Sequence, residues 1–208
     1  MTTDIRSLVK EGYETGDYAG HFRTNSQPNA MEKKYLDRLG SLLPQAAKIL
    51  DLGCGIGIPF DKYLVENGFQ VTGIDFAANH LQAAKKNVPT ATFIEGDFSK
   101  IDFGGDHFQA IIAFYSIFHL PREEQPDLFR KMAGLLTDGG LILVTLGTSP
   151  GDGVEENWAG SKIMAWSNYD PATYKTILAR AGFEIMASEY EGHPGDQEYH
   201  WWVLAKKK

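Results

Sequence analysis

The sequence predicts an α/β protein in which a mostly parallel sheet is covered by helices on both faces. Short apolar runs of strand length alternate with stretches whose apolar residues recur every three or four positions. The stretch Lys48 to Pro59, K-I-L-D-L-G-C-G-I-G-I-P, is an apolar run broken only by Asp51, then glycines at 53, 55 and 57, then helix-compatible residues from Phe60. That reads as a buried strand, a tight turn and a helix. Phe108 to Phe114 is apolar on both sides, as a central parallel strand must be.

The 208 residues fit one domain with a sizeable core. Lys plus Arg total 20 against 27 Asp plus Glu, a formal net charge of -7, which works against binding along a nucleic-acid backbone. The single cysteine, Cys54, excludes an internal disulfide and fits a reducing compartment. No apolar run is long enough for a membrane span and the first ten residues lack a signal-peptide core, so the expectation is a soluble, cytoplasmic protein.

In chain order, residues 4 to 14 predict a helix with Ile5, Leu8, Val9 and Tyr13 on one side. Tyr13, Tyr18, His21 and Phe22 then lie among small and polar residues; such aromatics either seal one end of the sheet or form a lid. A helix is predicted from Pro28 to about Leu43, with Met31, Tyr35, Leu39 and Leu42 inward and Pro44 as its stop. The first strand and its glycine turn follow. Glycine takes positive φ there and, lacking a Cβ, lets a ligand lie close to the backbone, with the amides of the turn facing it. The spacing is not that of a dinucleotide fingerprint, which would need glycine at 58 or 60, where Ile58 and Phe60 stand.

Asp51 followed by G-x-G-x-G, in D-L-G-C-G-I-G, instead resembles the first motif of the class I S-adenosylmethionine-dependent methyltransferases. The resemblance implies that Asp51, Gly53, Cys54, Gly55 and Gly57 wrap the methionine part of that cofactor. It further implies that the segment ahead of the sheet covers the cofactor, with Tyr18 against it and Tyr13 and Phe22 bordering the acceptor.

The helix Pro59 to Asn67 is closed by Gly68, and the second strand, Gln70 to Ile74, ends at Asp75. An acid at this position accepts two hydrogen bonds from a ribose diol; capping the helix that begins at Ala77 is the alternative reading. The resemblance gives Asp75 the ribose and sets Phe76 beside the adenosine. The third strand, Ala91 to Ile94, leads into E-G-D-F, where the family commonly has an acid and an aromatic for adenine; Asp97 and Phe98 stand there, although Asp97 also reads as a turn acid. Beyond the fourth strand, Phe108 to Phe114, the run Y-S-I-F-H-L falls where that fold holds the transferable methyl, which brings Phe114, Tyr115 and His119 nearest the chemistry. His119 also reads as a core or capping histidine. The Asn/Asp-Pro-Pro-aromatic signature of base-amino methyltransferases is absent from this exit, and Cys54 lies in the cofactor turn rather than where a cytosine-attacking nucleophile is needed.

Helix Glu123 to Leu136, a Gly139-Gly140 turn and the fifth strand, Leu141 to Leu146, come next. The connection 147–168 is long, rich in glycine and polar residues, and carries Trp158, Met164 and Trp166; it is expected to cover the substrate. A helix over Pro171 to Ala181, capped near Asp170, and strands Phe183 to Tyr190 and Tyr199 to Ala205 complete the chain, with a hairpin turn at Pro194-Gly195. His193, Asp196, Glu198 and His200 show no legible metal-ligand spacing, so no metal is expected.

The expectation is thus a three-layer Rossmann-like sandwich spanning 1–208. Its seven-stranded, mostly parallel sheet has the order 3-2-1-4-5-7-6 and an antiparallel last strand, with 1–29 as an N-terminal lid and 147–168 as a second cover. The implied chemistry is direct displacement at the methyl of S-adenosylmethionine by a small-molecule acceptor, with His119 or Tyr115 as base only if the acceptor must lose a proton early. A non-catalytic S-adenosylmethionine-binding module, a protein or RNA acceptor, and a nicotinamide dehydrogenase are the alternatives. No nucleic acid, no membrane and a monomer or homodimer are expected.

Overall fold

Strands whose side chains are apolar on both sides occupy the middle of the sheet, because only there do helices cover both faces. The computed structural model describes residues 5–105, 107–193, 196 and 199–208. Three helices, α1 (Ile5–Thr15), α2 (Tyr18–Phe22) and α3 (Ala30–Leu42), precede β1 (Lys48–Leu52). Then come α4 (Phe60–Glu66), β2 (Gln70–Asp75), α5 (Ala78–Asn87), β3 (Thr92–Glu95), β4 (Phe108–Ala113), α6 (Gln125–Leu135) and β5 (Leu136–Leu146). The remainder is β6 (Gly151–Glu156), β7 (Ile163–Asn168), α7 (Pro171–Arg180), β8 (Phe183–Glu191) and β9 (His200–Lys207).

The sheet has seven strands in the order β3-β2-β1-β4-β5-β9-β8. Since β6 and β7 pair only with each other, β8 and β9 are the expected sixth and seventh strands and the order is the expected one. Pairings from β3 to β5 are parallel, and β9 runs antiparallel to both neighbours, with Leu143 opposite Leu204 and Val144 opposite Val203. The two-residue period of a strand divides each central strand between two cores. Leu50, Ile111, Ile142 and Trp201 face Phe129 and Met132 of α6 and Tyr174 and Leu178 of α7. Ile49, Ile112, Leu143 and Trp202 face Leu36 and Leu39 of α3 and Phe60 and Leu64 of α4.

Capping fixes the helix starts. The Asn29 side chain accepts from the Glu32 amide while Glu32 accepts from the Asn29 amide, so α3 starts two residues later than Pro28 suggested. Asp170 accepts from the amides of Ala172 and Thr173 and caps α7 as expected. The largest addition lies in the 147–168 connection, for which no strands were expected and which contains a β-hairpin. The start of the first helix at Asp4, the turn at Pro194-Gly195, and Asp106 and Glu198 lie outside the described residues. Among the described residues no helix is long and apolar enough to cross a membrane.

Candidate cofactor and acceptor site

The first strand is stopped by geometry at Gly53. Its φ is 89°, and a Cβ there would come within 2.5 Å of Ser116 Cβ, while the Ser116 hydroxyl donates to Leu52 O at 2.6 Å. The amides of Gly53 and Cys54 both donate to Ile74 O, which folds the turn back over β2. Cys54 is buried, with its sulfur close over Gly73, and fills a small apolar space. Gly55, φ 53°, presents its Cβ direction to a cavity, where the nearest atom is Tyr18 Cε1 at 3.5 Å. Asp51 and Gly57 lie beneath the turn: Asp51 is buried, and a Cβ on Gly57 would press on Val88 and Ala84.

The cavity, about 440 Å³, lies at the carboxyl ends of β1 to β4. Of the residues singled out in the sequence, Gly53, Gly55, Asp75, Phe76, Asp97 and Phe98 line it from the sheet. Phe114, Tyr115 and His119 line it from the exit of β4, and Tyr13 and Tyr18 close it from above. Arg6, His80, Glu95, Gly96 and Ser116 also line it, and the sequence did not single them out.

Two acids mark successive strand ends. Asp75 accepts from Gly55 N at 2.9 Å through Oδ2 and from Ala77 N at 2.8 Å through Oδ1. It therefore ties the glycine turn to β2, and Ala77, not Asp75, is the N-cap of α5. Burial pushes the Asp75 carboxyl up, and His80, 3.9 Å away, together with the backbone amides, pulls it back only in part. Asp97 accepts from Ser99 N and Oγ through Oδ1 and from Arg6 Nε at 3.1 Å through Oδ2. Burial raises Asp97, but Ser99, Arg6 and Lys100 outweigh it and hold the carboxyl below its ordinary range. An ionised carboxylate offers about four lone-pair sites. Asp75, which the Phe76 amide also approaches, and Asp97 thus each keep room for one further donor.

Above these acids, His119 Nδ1 lies 2.8 Å from Ala165 O, so it carries the proton and donates. Nε2 is left as an acceptor for the Tyr13 hydroxyl at 2.9 Å. Burial holds His119 neutral, down to about 4 against the Ala165 contact that raises it, and burial keeps the Tyr13 phenol protonated. The unfolded chain therefore binds a proton at His119 between about pH 6.5 and 4 that the folded chain refuses, so the His119 contribution to stability is lost as pH drops through that window and is constant above it. The expected size is on the order of 3 kcal/mol. Urea unfolding of the wild type and of His119→Gln at both ends of the window checks this: the variant should lose that part of the slope, and an unchanged slope would mean His119 titrates normally.

Tyr115 is held in the left-handed region, φ 54°, with its amide donating to Thr145 Oγ1. Its hydroxyl donates to Glu191 Oε2 at 2.8 Å, and burial with Glu191 nearby raises it well above the ordinary phenol. That bond turns the hydroxyl toward Glu191, while the residue still lines the cavity beside His119. Phe114 is wedged between Phe60 and Trp202.

The two upper segments meet. Trp158 stacks on Phe22 at 5.3 Å and meets Tyr13 edge-on at 5.3 Å, and Asp17 N donates to Ala159 O. Met164 is buried against α1, where its Cε packs over Gly12. The Trp166 indole lies across Gly153 of the same hairpin. Trp158, Phe22, Met164 and Trp166 are not among the residues that line this cavity; they hold the hairpin to itself and to the N-terminal helices. Among the described residues no three His, Cys, Asp or Glu are grouped to hold a metal ion.

A family model for a methyltransferase domain matches residues 49–140, which include the glycine turn, both acids and His119. Phosphoethanolamine N-methyltransferase 1 of Triticum aestivum is 31% identical over 163 residues, covering 76% of this chain and 32% of that protein. The chain thus spans about a third of the length of that relative. The 27-O-demethylrifamycin SV methyltransferase of Amycolatopsis mediterranei is 27% identical over 91% of this chain and 78% of its own length. Among solved structures, magnesium protoporphyrin IX methyltransferase of Synechocystis PCC 6803 with bound S-adenosylmethionine superposes with TM-score 0.72 at 17% identity, over 100% of this chain and 99% of that one. A methyltransferase of Methanosarcina mazei superposes at 0.71 with 16% identity, over 87% and 98%. Sheet order, glycine turn and strand-end acids agree with these matches: the chain has the fold of the S-adenosylmethionine-dependent methyltransferases, and its residues 49–140 match a methyltransferase domain.

Proposed function

We propose that the chain transfers a methyl group from S-adenosylmethionine to a small-molecule acceptor by direct displacement. The observation that carries the reading is the spare acceptor capacity of Asp75 and Asp97 at two corners of a cavity whose third corner is the open face of Gly55. Asp51 and the glycine turn would hold the methionine part, Asp75 and Phe76 the ribose, and Asp97 and Phe98 the adenine. The cofactor supplies a methyl group already activated by a sulfonium, so the chain's own task is alignment and exclusion of water.

Tyr13 and His119 form a hydrogen-bonded pair able to move a proton. Tyr13 donates to His119 Nε2, so a proton leaving an acceptor at the Tyr13 oxygen is relayed onto an imidazole held ready by Ala165 O. The N-terminal helices and the hairpin act as one cover, supported by the Trp158–Phe22 stack and the Asp17–Ala159 hydrogen bond. A cavity closed from above by Tyr13 and Tyr18 favours a small acceptor over a protein or RNA. The curated relatives named for phosphoethanolamine and for demethylrifamycin point the same way. The buried, unpaired Cys54 supports the cytoplasmic reading.

The test is calorimetric titration with S-adenosylmethionine and with a nicotinamide dinucleotide, followed by transfer of a labelled methyl group into a metabolite extract. Binding of the first, none of the second, and label in a small product are expected; binding without transfer to any fraction would leave a non-catalytic module. Tyr13→Phe should keep cofactor affinity within a few-fold and slow single-turnover transfer by roughly a hundredfold. An unchanged rate would remove the relay.

A further inference from the structure

Asp61 stands in the first turn of α4 and is fully buried, yet neither carboxyl oxygen accepts a hydrogen bond from a backbone amide or any other fixed donor. Among the described residues its hydrogen-bonding neighbour is Asp51, the acid before the glycine turn, whose own Oδ1 is likewise without a fixed donor. Two carboxylates in hydrogen-bond contact and out of water do not both ionise; such a pair holds a proton between them. Position decides where the proton sits. Asp51 is faced by Asp75 from β2, by Cys54 in the turn and by the Arg23 cation after α2, whereas among the described residues Asp61 feels the charges of Asp51 and Cys54 and of no cation.

We propose that Asp61 is a positioning residue which, as a neutral carboxylic acid, donates a hydrogen bond to Asp51 and so keeps Asp51 ionised beneath the glycine turn. The inference rests on the cofactor reading above for its consequence: an ionised Asp51 under Gly53 and Gly55 attracts the cationic methionine end of S-adenosylmethionine. Burial lifts Asp51 to about 7, and the hydrogen bond from Asp61 and the charge of Arg23 are what keep it from going higher. Affinity for the cofactor should therefore fall as pH drops through about 7, when Asp51 also takes up a proton.

Asp61→Ala removes the donor. Asp51 should then hold its proton at pH 7.5, and affinity should fall about tenfold for each unit by which the midpoint rises, recovering as pH is raised. Asp61→Asn keeps a donor of the same size and should restore wild-type affinity and midpoint. The experiment is calorimetric titration of wild type and both variants with S-adenosylmethionine from pH 6 to 8.5, together with infrared difference spectra of ligand-free wild type against Asp61→Asn at pH 8. The spectra should show a protonated-carboxyl band in the wild type that the variant lacks. Asp61→Ala with the wild-type midpoint, or no such band, overturns the proposal. If the wild type binds no S-adenosylmethionine at any pH the cofactor reading fails instead, and the infrared band still decides where the proton is. Should Asp61→Ala not fold, the spectra and the Asn variant carry the test.

Discussion

A Gly55→Val variant will fold and will bind S-adenosylmethionine at least tenfold to a hundredfold more weakly than the wild type. The Cβ itself has room, since its nearest neighbour is Tyr18 Cε1 at 3.5 Å, so the sheet beneath is undisturbed. The left-handed φ of 53° costs a branched residue about 1 to 2 kcal/mol, and that is felt as stability. The two γ-methyls then stand in the cavity, and forcing a ligand past added methyls costs about 1 to 3 kcal/mol, which is felt as affinity. Thermal unfolding separates the first effect from the second, which is read by titration. A folded variant with wild-type affinity would show that the turn is not the cradle.

Asp75→Ala should be worse for both fold and ligand. The side chain accepts from the Gly55 and Ala77 amides, so its removal leaves two inward-facing donors unpaired, at about 1 to 3 kcal/mol each when buried. It also removes the acceptor for the ribose diol, where hydrogen bonds to a charged group are worth about 1.5 to 3 kcal/mol each and do not add independently. Asp75→Asn is no rescue, because one of the two amides would then face an NH2. A loss of tenfold or more is expected in both variants; wild-type affinity in a folded Asp75→Ala protein would return the residue to a purely local role.

Those two positions were legible in the sequence because the signals are local: a strand, an acid and glycines at fixed spacing. The same holds for the middle of the sheet, whose strands β1, β4 and β5 are buried on both faces. Asp61 and Arg6 were not. Asp61 looks like any acid in a first helical turn, and Arg6 like any cation on an amphipathic helix. Only folding brings Arg6 to Asp97 and Glu124, 91 and 118 residues away in sequence. His80 was hidden in the same way, since nothing in A-A-N-H-L-Q announces that one imidazole will face Asp75 and the ring of Tyr18. The hairpin was missed for a different reason. β6 reads G-D-G-V-E-E, poor in strand-forming residues, and its one β-branched side chain, Val154, is 60% exposed. Its strand geometry is supplied by β7, and the glycine at 153 that argues against a strand is the residue that admits the Trp166 ring. That ring was expected at the acceptor for its size; its placement came from the partner strand, which composition does not reveal.

The insertion of β9 between β5 and β8 has a consequence for how the chain reaches this fold. β5 gains its second neighbour only from residues 200–207, after α7 and β8 have already been made. Until then Leu141 to Leu146 present an apolar, unpaired edge, and the nearest strand in sequence outside the small hairpin is β8, which the native sheet keeps one strand away. Premature pairing of β8 with that edge would have to be undone before β9 could enter. Long-range closure of this kind is slow, and an open edge during it invites association with other chains. Refolding yield should therefore depend on protein concentration more steeply than equilibrium stability suggests, with the vulnerable species defined by one missing interior strand.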